Sequence, residues 1–175
     1  MGIENNVKLL SVDVNKSWII DLMDLIDNLD DLLFTFGIPR RVNEMTVRDC
    51  IQRWAHGNIF TLFEMVTKKH IGLCGFYQMN IREPIAYAWL GVRHTNDRHD
   101  ETEIKKTAYI ELIDNLVFKE TRCRYVIVKV REGSKDTQIL QDIGCVQFPY
   151  KFETGIFVDG RDMPSLWFIR TRLMK

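Results

Sequence analysis

The chain lacks the features that mark secreted and membrane-spanning proteins. Its four cysteines are widely spaced and form no Cys-x-x-Cys pair, so we expect buried free thiols rather than a disulfide framework. The longest stretch without Asp, Glu, Lys or Arg covers residues 70–81, well short of the roughly 20 apolar residues that span a bilayer. Residues 1–7 also lack the basic start and apolar core of a signal peptide.

Neither sign of charge is in excess, since Lys plus Arg and Asp plus Glu both number 24. The overall charge balance therefore provides no net electrostatic attraction for nucleic acid or an anionic membrane. Only four prolines occur, and no linker, internal repeat or low-complexity tract interrupts the chain. The 46% hydrophobic content is enough for a sizeable core. We predict a single domain over residues 1–175, located in the cytoplasm, with no nucleic-acid or membrane partner.

The clearest pattern that is present is a strand, a loop and a helix between residues 85 and 117. Ile85–Val92 is a nearly continuous apolar run, which is typical of a strand buried on both faces. Nine loop residues follow, and from residue 104 to 117 apolar side chains recur at helical spacing. The first amides of such a helix are unpaired and point at the loop, so α/β proteins often bind anions there.

The remaining segments alternate between strand and helix patterns. Helices are predicted over residues 18–33, with an acidic outer face, over 46–57, and over 134–144, where Ser134 caps the start and Gly144 ends the helix. Strands are predicted over residues 7–12, 59–66, 70–79, 124–130, 146–154 and 166–171. The predicted order is β, α, α, β, β, β, α, β, α, β, β.

Three local patterns in this order resemble the GNAT superfamily of N-acetyltransferases. Residues 61–65 with 70–76 are similar to its Phe-x-Ile, turn, Ile-Gly hairpin. Residues 89–92 are similar to the end of its fourth strand, as in the branch that acetylates ribosomal-protein N-termini and amino sugars. Residues 139–145 are similar to the end of its last helix, with Gly144 matched. The resemblance covers nearly the whole chain.

This resemblance implies an α+β, three-layer fold. A mixed central sheet of about seven strands would carry helices on both faces, and its fourth and fifth strands would run parallel and splay apart at one end. In the family, acetyl-CoA is the acyl donor, and its pantetheine arm lies between the splayed strands. The arm would then run along Leu90, Gly91 and Val92. The pyrophosphate would rest on the loop and first turn of the central helix, near Arg98 and Thr102.

The acidic residues at this predicted helix start oppose such a donor. The family's loop glycines, which let the backbone approach phosphate, are replaced here by Glu101 and Glu103. If these carboxylates and that of Asp100 project from the helix start, each repels a pyrophosphate. The sequence therefore predicts weak or absent binding of coenzyme A.

Acyl transfer to an amine needs one group that takes up the amine's proton and another that protonates the departing sulfur. The candidates near the predicted splay are Tyr87 on the fourth strand, Glu83 before it and His94 after it. The family often has an Asn at the start of its last helix and a Tyr as proton donor within it. This chain has Gly133 and Leu140 at those positions.

The same loop contains residue types that bind metal ions. His94, Asp97, His99 and Asp100 lie close together in sequence, and imidazole and carboxylate are suitable ligands for zinc. Their spacing is not diagnostic, so we predict no metal site.

The sequence thus predicts an acyltransferase that moves an acetyl or other acyl group from coenzyme A to a primary amine. The acceptor would be a small molecule or a peptide, the amine would attack the thioester directly, and the protein would be a monomer or homodimer. Two alternatives stay open. One is a catalytically inactive module of the same fold that binds or regulates without acetyl-CoA. The other is a scaffold whose cleft holds a cationic ligand near the acidic loop.

Overall fold

The computed structural model describes residues 7–12, 58–78, 82, 84–92, 98–152, 157–158, 161–162 and 164–173. Elements are numbered within these ranges. The predicted helices over residues 18–33 and 46–57 lie outside them, as does Cys50. The expectation of helices on both faces of the sheet therefore stays a prediction.

A seven-stranded mixed sheet forms the centre of the described structure. Its strands are β1 (Val7–Ser11), β2 (Asn58–Glu64), β3 (Lys69–Tyr77), β4 (Ile85–Val92), β5 (Tyr125–Arg131), β6 (Val146–Phe152) and β9 (Ser165–Thr171). They lie in the order β1-β2-β3-β4-β5-β9-β6. The β4–β5 pair is parallel, whereas the other described neighbours in this sheet are antiparallel. The α+β fold with a mixed seven-stranded sheet is confirmed.

A separate two-stranded hairpin, β7 (Phe157–Val158) and β8 (Arg161–Asp162), lies between β6 and β9 in the chain. Residues 159–160, which connect these two strands in the chain, lie outside the described residues. The predicted strand over residues 146–154 corresponds to β6, which is assigned as far as Phe152.

The central helix follows β4 and changes its winding along its length. It begins as α1 (Arg98–Ile110), continues as a π-helical segment (Glu111–Val117) and ends as the short helix α2 (Phe118–Glu120). The predicted loop extended to residue 101, so the helix begins four residues before its predicted start. The π winding was not predicted either. No helix in the described ranges has the length and apolar character needed to cross a membrane.

One face of the sheet packs against this helix. The side chains of Ala88, Leu90 and Val92 on β4 join Ala108 and Leu112 in one buried cluster. Ile104 and Leu116 are partly buried and pack against it. Leu112 is fully buried, which is the burial predicted for the apolar side of the helix. The cluster also contains three cysteines as buried free thiols, Cys74, Cys123 and Cys145.

The second crossover helix is α3 (Asp136–Asp142), which follows β5. Ser134 precedes it, and its Oγ accepts a hydrogen bond from the Asp136 amide at 3.2 Å. Gly144 lies two residues beyond the end of the helix, and its φ of +85° is a conformation that side-chain-bearing residues rarely adopt. The Cys145 amide then donates to the Leu140 carbonyl at 2.9 Å. Both predicted ends of this helix are therefore close to the observed ones.

Candidate active site

The parallel pair β4–β5 separates part-way along its length. The two strands pair from Ile85 opposite Tyr125 to Ala88 opposite Val128. Both strands then continue, β4 through residues 89–92 and β5 through residues 129–131, without further rungs between them. Beyond Ala88 and Val128 the facing edges form no rungs with each other, and strand edges of this kind suit a ligand that carries amides. The predicted splay is confirmed.

A cleft lies at this separation. Its walls come from both splayed strands, from α1 and from the segment that leads into α3. The lining residues are Leu90, Tyr109, Lys129, Val130, Arg131, Ser134 and Asp136. The lining therefore combines apolar side chains with two cations and a carboxylate.

A buried polar cluster joins α1 to α3 at the edge of this cleft. Lys105 Nζ lies 2.8 Å from Asp136 Oδ1 and 3.6 Å from Glu101 Oε1. The Tyr109 hydroxyl donates a hydrogen bond to Asp136 Oδ2 at 2.8 Å. Each of these four residues is at most 4% exposed. Because one ammonium lies between two carboxylates, the cluster carries a formal charge of −1 in a place that water scarcely reaches.

The cluster changes the expected electrostatics of the helix start. Glu101 was expected to project from the first turn and to oppose a pyrophosphate. It is instead turned inward and paired with Lys105 four residues later. Glu103 and Thr102 are exposed. The expectation for Glu101 is therefore wrong, because burial against Lys105 outweighs exposure at the helix end. The side chains of residues 98–100 lie outside the description.

Lys129 is a cleft residue whose protonation is affected by its surroundings. It is half-buried on β5, and this burial lowers the pKa of its ammonium, because the charged form is the one that loses hydration. Its neighbour in the β5–β9 ladder is Trp167. A larger fraction of this amine is therefore uncharged at neutral pH than for a lysine in water.

Aromatic rings occupy the sheet face opposite the α1 helix. Tyr87 stacks on Tyr77 with ring centroids 5.2 Å apart and planes at 14°. Trp167 meets Tyr87 edge-on at 6.4 Å, and its Nε1 donates to Ser165 Oγ at 3.1 Å. Burial, with a smaller contribution from Tyr87, raises the pKa of Tyr77. The Tyr77 hydroxyl therefore keeps its proton at neutral pH.

The predicted site residues are distributed as follows. Leu90 lines the cleft, and Gly91 and Val92 continue the same splayed strand. Tyr87 lies just before the separation, in the aromatic group described above. Arg98 is the first residue of α1, whereas Glu83 and His94 lie outside the described residues. The loop that holds Asp97 is also outside them, and no metal-binding group of His, Cys, Asp and Glu occurs in the described part of the chain.

Sequence reasoning missed Tyr109, Lys129 and Asp136. It considered Lys105 as part of a basic patch for the cofactor's phosphates, whereas Lys105 lies in the buried cluster. Lys129 carried a signal, because it is a charged residue within the otherwise apolar and β-branched run Val126-Ile127-Val128-Lys129-Val130. Glu101 and Lys105 also have the four-residue spacing of a helical ion pair. Asp136 gave no local signal, because its partners are 27 and 31 residues away in the chain.

Solved structures with the same architecture are acetyltransferases. Mutant forms of the spermidine/spermine N-acetyltransferase SpeG from Vibrio cholerae match with a TM-score of 0.72 and 13% identity, over 96% of this chain and 95% of that chain. The same enzyme in complex with CoA and spermine matches with a TM-score of 0.70 and 12% identity, over 96% of both chains. The protein has the GNAT fold.

A third match has a different acceptor. RimL, a ribosomal L7/L12 α-N-protein acetyltransferase in complex with coenzyme A, matches with a TM-score of 0.68 and 9% identity, over 97% of this chain and 96% of that chain. No family model and no curated protein sequence matches the chain. At identities this low, the structural matches establish the GNAT fold, and any activity has to be argued from this chain's own residues.

Proposed function

We propose that the protein transfers an acyl group from a coenzyme A thioester to a primary amine. The observation that carries this proposal is the separation of β4 from β5 after Ala88 and Val128. Beyond this separation lies a cleft that is lined by residues of both strands and by Tyr109 of α1. A thioester with an extended, amide-containing arm and an anionic end suits such a cleft.

The residues present fit this donor. Its arm would lie along Leu90, Gly91 and Val92, whose backbone amides and carbonyls no longer pair with β5. Arg131 and Lys129 supply positive charge within the cleft. The start of α1, with Arg98 and Thr102, would hold the phosphates through backbone amides and the helix dipole. The exposed Glu103 opposes this, whereas Glu101 is already paired with Lys105.

The reaction would proceed by direct attack of the neutral amine on the thioester carbonyl. The amine loses a proton, the carbon–sulfur bond breaks, and the sulfur takes up a proton. Tyr87 is the described candidate for proton handling, since it lies beside the point of separation and its ring is held by Tyr77 and Trp167. Glu83 and His94 are the other candidates. Tyr109 is poorly suited to donate its proton, because its hydroxyl already donates to the Asp136 carboxylate.

The acceptor would be a small molecule or a peptide with a primary amine. The structural matches act on both kinds, spermidine in one case and the α-amine of a ribosomal protein in the other. The aromatic group formed by Tyr77, Tyr87 and Trp167 offers an apolar surface for the acceptor beside the thioester.

Calorimetry with coenzyme A tests the binding step. We expect measurable binding by the unaltered protein, and at least a roughly ten-fold weakening by Arg131→Glu, because a loss of about 1.4 kcal/mol suffices for that factor. Lys119→Glu is the matched control, since it makes the same charge change at an exposed position far along the helix. Equal effects of the two variants would show that coenzyme A does not bind beside Arg131.

A transfer assay then separates enzyme from binding module. Acetyl-CoA is incubated with spermidine, with a peptide that has a free α-amine, or with an amino sugar, and the released thiol is measured. Thiol release that requires one of these amines supports the proposal. Coenzyme A binding without thiol release in the presence of any of these amines would favour a non-catalytic module of the same fold. Absence of binding would overturn the proposed function altogether.

A further inference from the structure

The walls of the cleft belong to two parts of the chain that diverge. β4 leads into α1 and β5 leads into α3, and the two strands pair with each other as far as Ala88. Beyond that point the lining includes Leu90 and Val130 from the strands, Tyr109 from α1 and Asp136 at the start of α3. Since no described rung joins β4 to β5 there, other contacts have to fix the distance between the two helices.

Asp136 connects the helices with both of its carboxylate oxygens. Oδ1 lies 2.8 Å from Lys105 Nζ, and Oδ2 accepts a hydrogen bond from the Tyr109 hydroxyl at 2.8 Å. Lys105 and Tyr109 are four residues apart on α1, so one carboxylate of α3 is bound at two points a turn apart on the facing helix. Asp136 is buried, and hydrogen bonds to a charged group are among the stronger polar contacts in a protein.

The backbone before α3 holds this carboxylate relative to β5. The Asp136 amide donates to Ser134 Oγ at 3.2 Å. The Ser134 amide in turn donates at 3.0 Å to the carbonyl of Arg131, which is the last residue of β5. A chain of hydrogen bonds therefore runs from the end of β5 through Asp136 to α1, which is the helix that follows β4.

We propose that Asp136 is a positioning residue that sets the width of the cleft for a thioester donor. This step rests on the proposed function. The outer ladders hold the two strand edges, whereas Asp136 holds the helices that complete the lining. Without its two bonds, α1 and α3 would adopt a range of separations in the folded protein. The apparent affinity for the donor then falls in proportion to the fraction of molecules that have the correct width.

The test replaces Asp136 with asparagine, which keeps the shape of the side chain. Either Lys105 or Tyr109 then faces an amide nitrogen, which cannot accept its hydrogen bond. In calorimetry, coenzyme A should bind the folded variant at least about ten-fold more weakly, which corresponds to the correct width in roughly a tenth of the molecules. Tyr109→Phe removes one bond and leaves the ion pair, so it should weaken binding to a smaller extent.

Asp114→Asn is the matched control. Asp114 also joins the central helix to another element through two bonds, because its oxygens accept from Arg170 Nη2 at 2.9 Å and from Arg170 Nε at 3.3 Å. It belongs to the π-helical segment and lies outside the described lining of the cleft. The same chemical change at this position should leave the affinity for coenzyme A nearly unchanged.

A second ligand separates a change of cleft width from general loosening of the fold. The nucleotide 3′-phospho-ADP has the phosphates of coenzyme A but lacks its arm, so its binding at a helix start does not depend on the width of the cleft. Its affinity should be the same for the unaltered protein and for Asp136→Asn. Weaker binding of coenzyme A alone is the result that supports the proposal.

The remaining outcomes overturn it. Equal weakening of both ligands, or equal effects of Asp136→Asn and Asp114→Asn, would refute the positioning role and leave the proposed function standing. Tighter binding of coenzyme A by Asp136→Asn would do the same, because it would show that the carboxylate mainly repels the phosphates. Absence of coenzyme A binding by the unaltered protein would overturn both proposals. If Asp136→Asn fails to fold, full affinity of Tyr109→Phe would refute the role of Asp136.

Discussion

Replacing Lys105 with methionine should destabilise the fold severely, because two buried carboxylates would lose the cation between them. Lys105 Nζ lies 2.8 Å from Asp136 Oδ1 and 3.6 Å from Glu101 Oε1. At an effective dielectric constant of about 20, these separations correspond to attractions of roughly 6 and roughly 5 kcal/mol. Hydration lost by the buried ammonium offsets much of this, and removal of one partner of a buried pair typically costs about 3–5 kcal/mol. We expect a loss in that range.

Urea unfolding at neutral pH measures this loss directly. The matched control is Lys119→Met, which makes the same change of side chain on the same helical stretch. Lys119 is exposed, and its Nζ donates to Asn115 Oδ1. Its replacement should cost less than about 1 kcal/mol, as is usual for an exposed position. A similar loss of unfolding free energy in both variants would mean that buried Lys105 stabilises the fold no more than exposed Lys119 does.

A double-variant cycle shows whether the cost arises from unpaired charge. Asp136→Asn removes one carboxylate but keeps an oxygen that can accept the Tyr109 hydroxyl. Combined with Lys105→Met, it leaves Glu101 as the remaining charge of the cluster. The double variant should therefore be more stable than Lys105→Met alone. Strict additivity of the two single effects, or a cost below about 1 kcal/mol for Lys105→Met, would refute the electrostatic reasoning.

Three further outcomes are expected. Leu112→Ala should cost about 2–5 kcal/mol in urea unfolding, because Leu112 is fully buried in the cluster between helix and sheet; less than about half a kcal/mol would mean that the packing is misassigned. Burial raises the pKa of Cys145 to about 11, with Arg170 lowering it and Asp114 raising it. In the unfolded chain this thiol ionises at about pH 8.5. The stability that follows from the raised pKa of folded Cys145 is therefore complete below that pH and is lost as the pH rises toward 11. Between pH 8 and pH 10.5 the unaltered protein should consequently lose more stability than Cys145→Ala, and equal losses would contradict the shift. Glu103→Ala should strengthen coenzyme A binding several-fold in calorimetry, since it removes the exposed carboxylate near the helix start, and unchanged affinity would place the phosphates elsewhere.

Sequence periodicity predicted the strands of the cleft well but not the start of the helix. The bounds of β4 agree with the structure, and those of β5 differ by one residue at each end, because both strands are apolar runs bounded by polar residues. The first turns of α1 contain mostly charged and polar side chains. They are helical because Glu101 and Lys105 pair four residues apart in a buried position. The spacing of apolar residues cannot reveal helical turns whose buried side chains are charged.

The π-helical segment escaped prediction for a related reason. Leu112 and Val117 are both buried and five residues apart, and Ile113 and Val117 are four residues apart. Both separations bring side chains to the same side of a π-helix, whereas the apolar pattern is also compatible with an ordinary helix. The distinction depends on tertiary packing. The same holds for Asp136, which joins the site through contacts with a helix far away in the chain.

The two splayed strands are held apart by the ladders that each forms with its neighbour on the side away from the cleft. β4 stays paired with β3 as far as Val92 opposite Gly72, and β5 stays paired with β9 as far as Arg131 opposite Ser165. A Cβ on Gly72 would lie only 2.4 Å from the Gly91 carbonyl oxygen, so the absence of a side chain lets β3 draw the end of β4 close and away from β5. The separation is thus fixed by two complete ladders and one close backbone contact. These belong to the sheet itself and need no ligand, so the cleft is preformed, as binding sites for small molecules usually are.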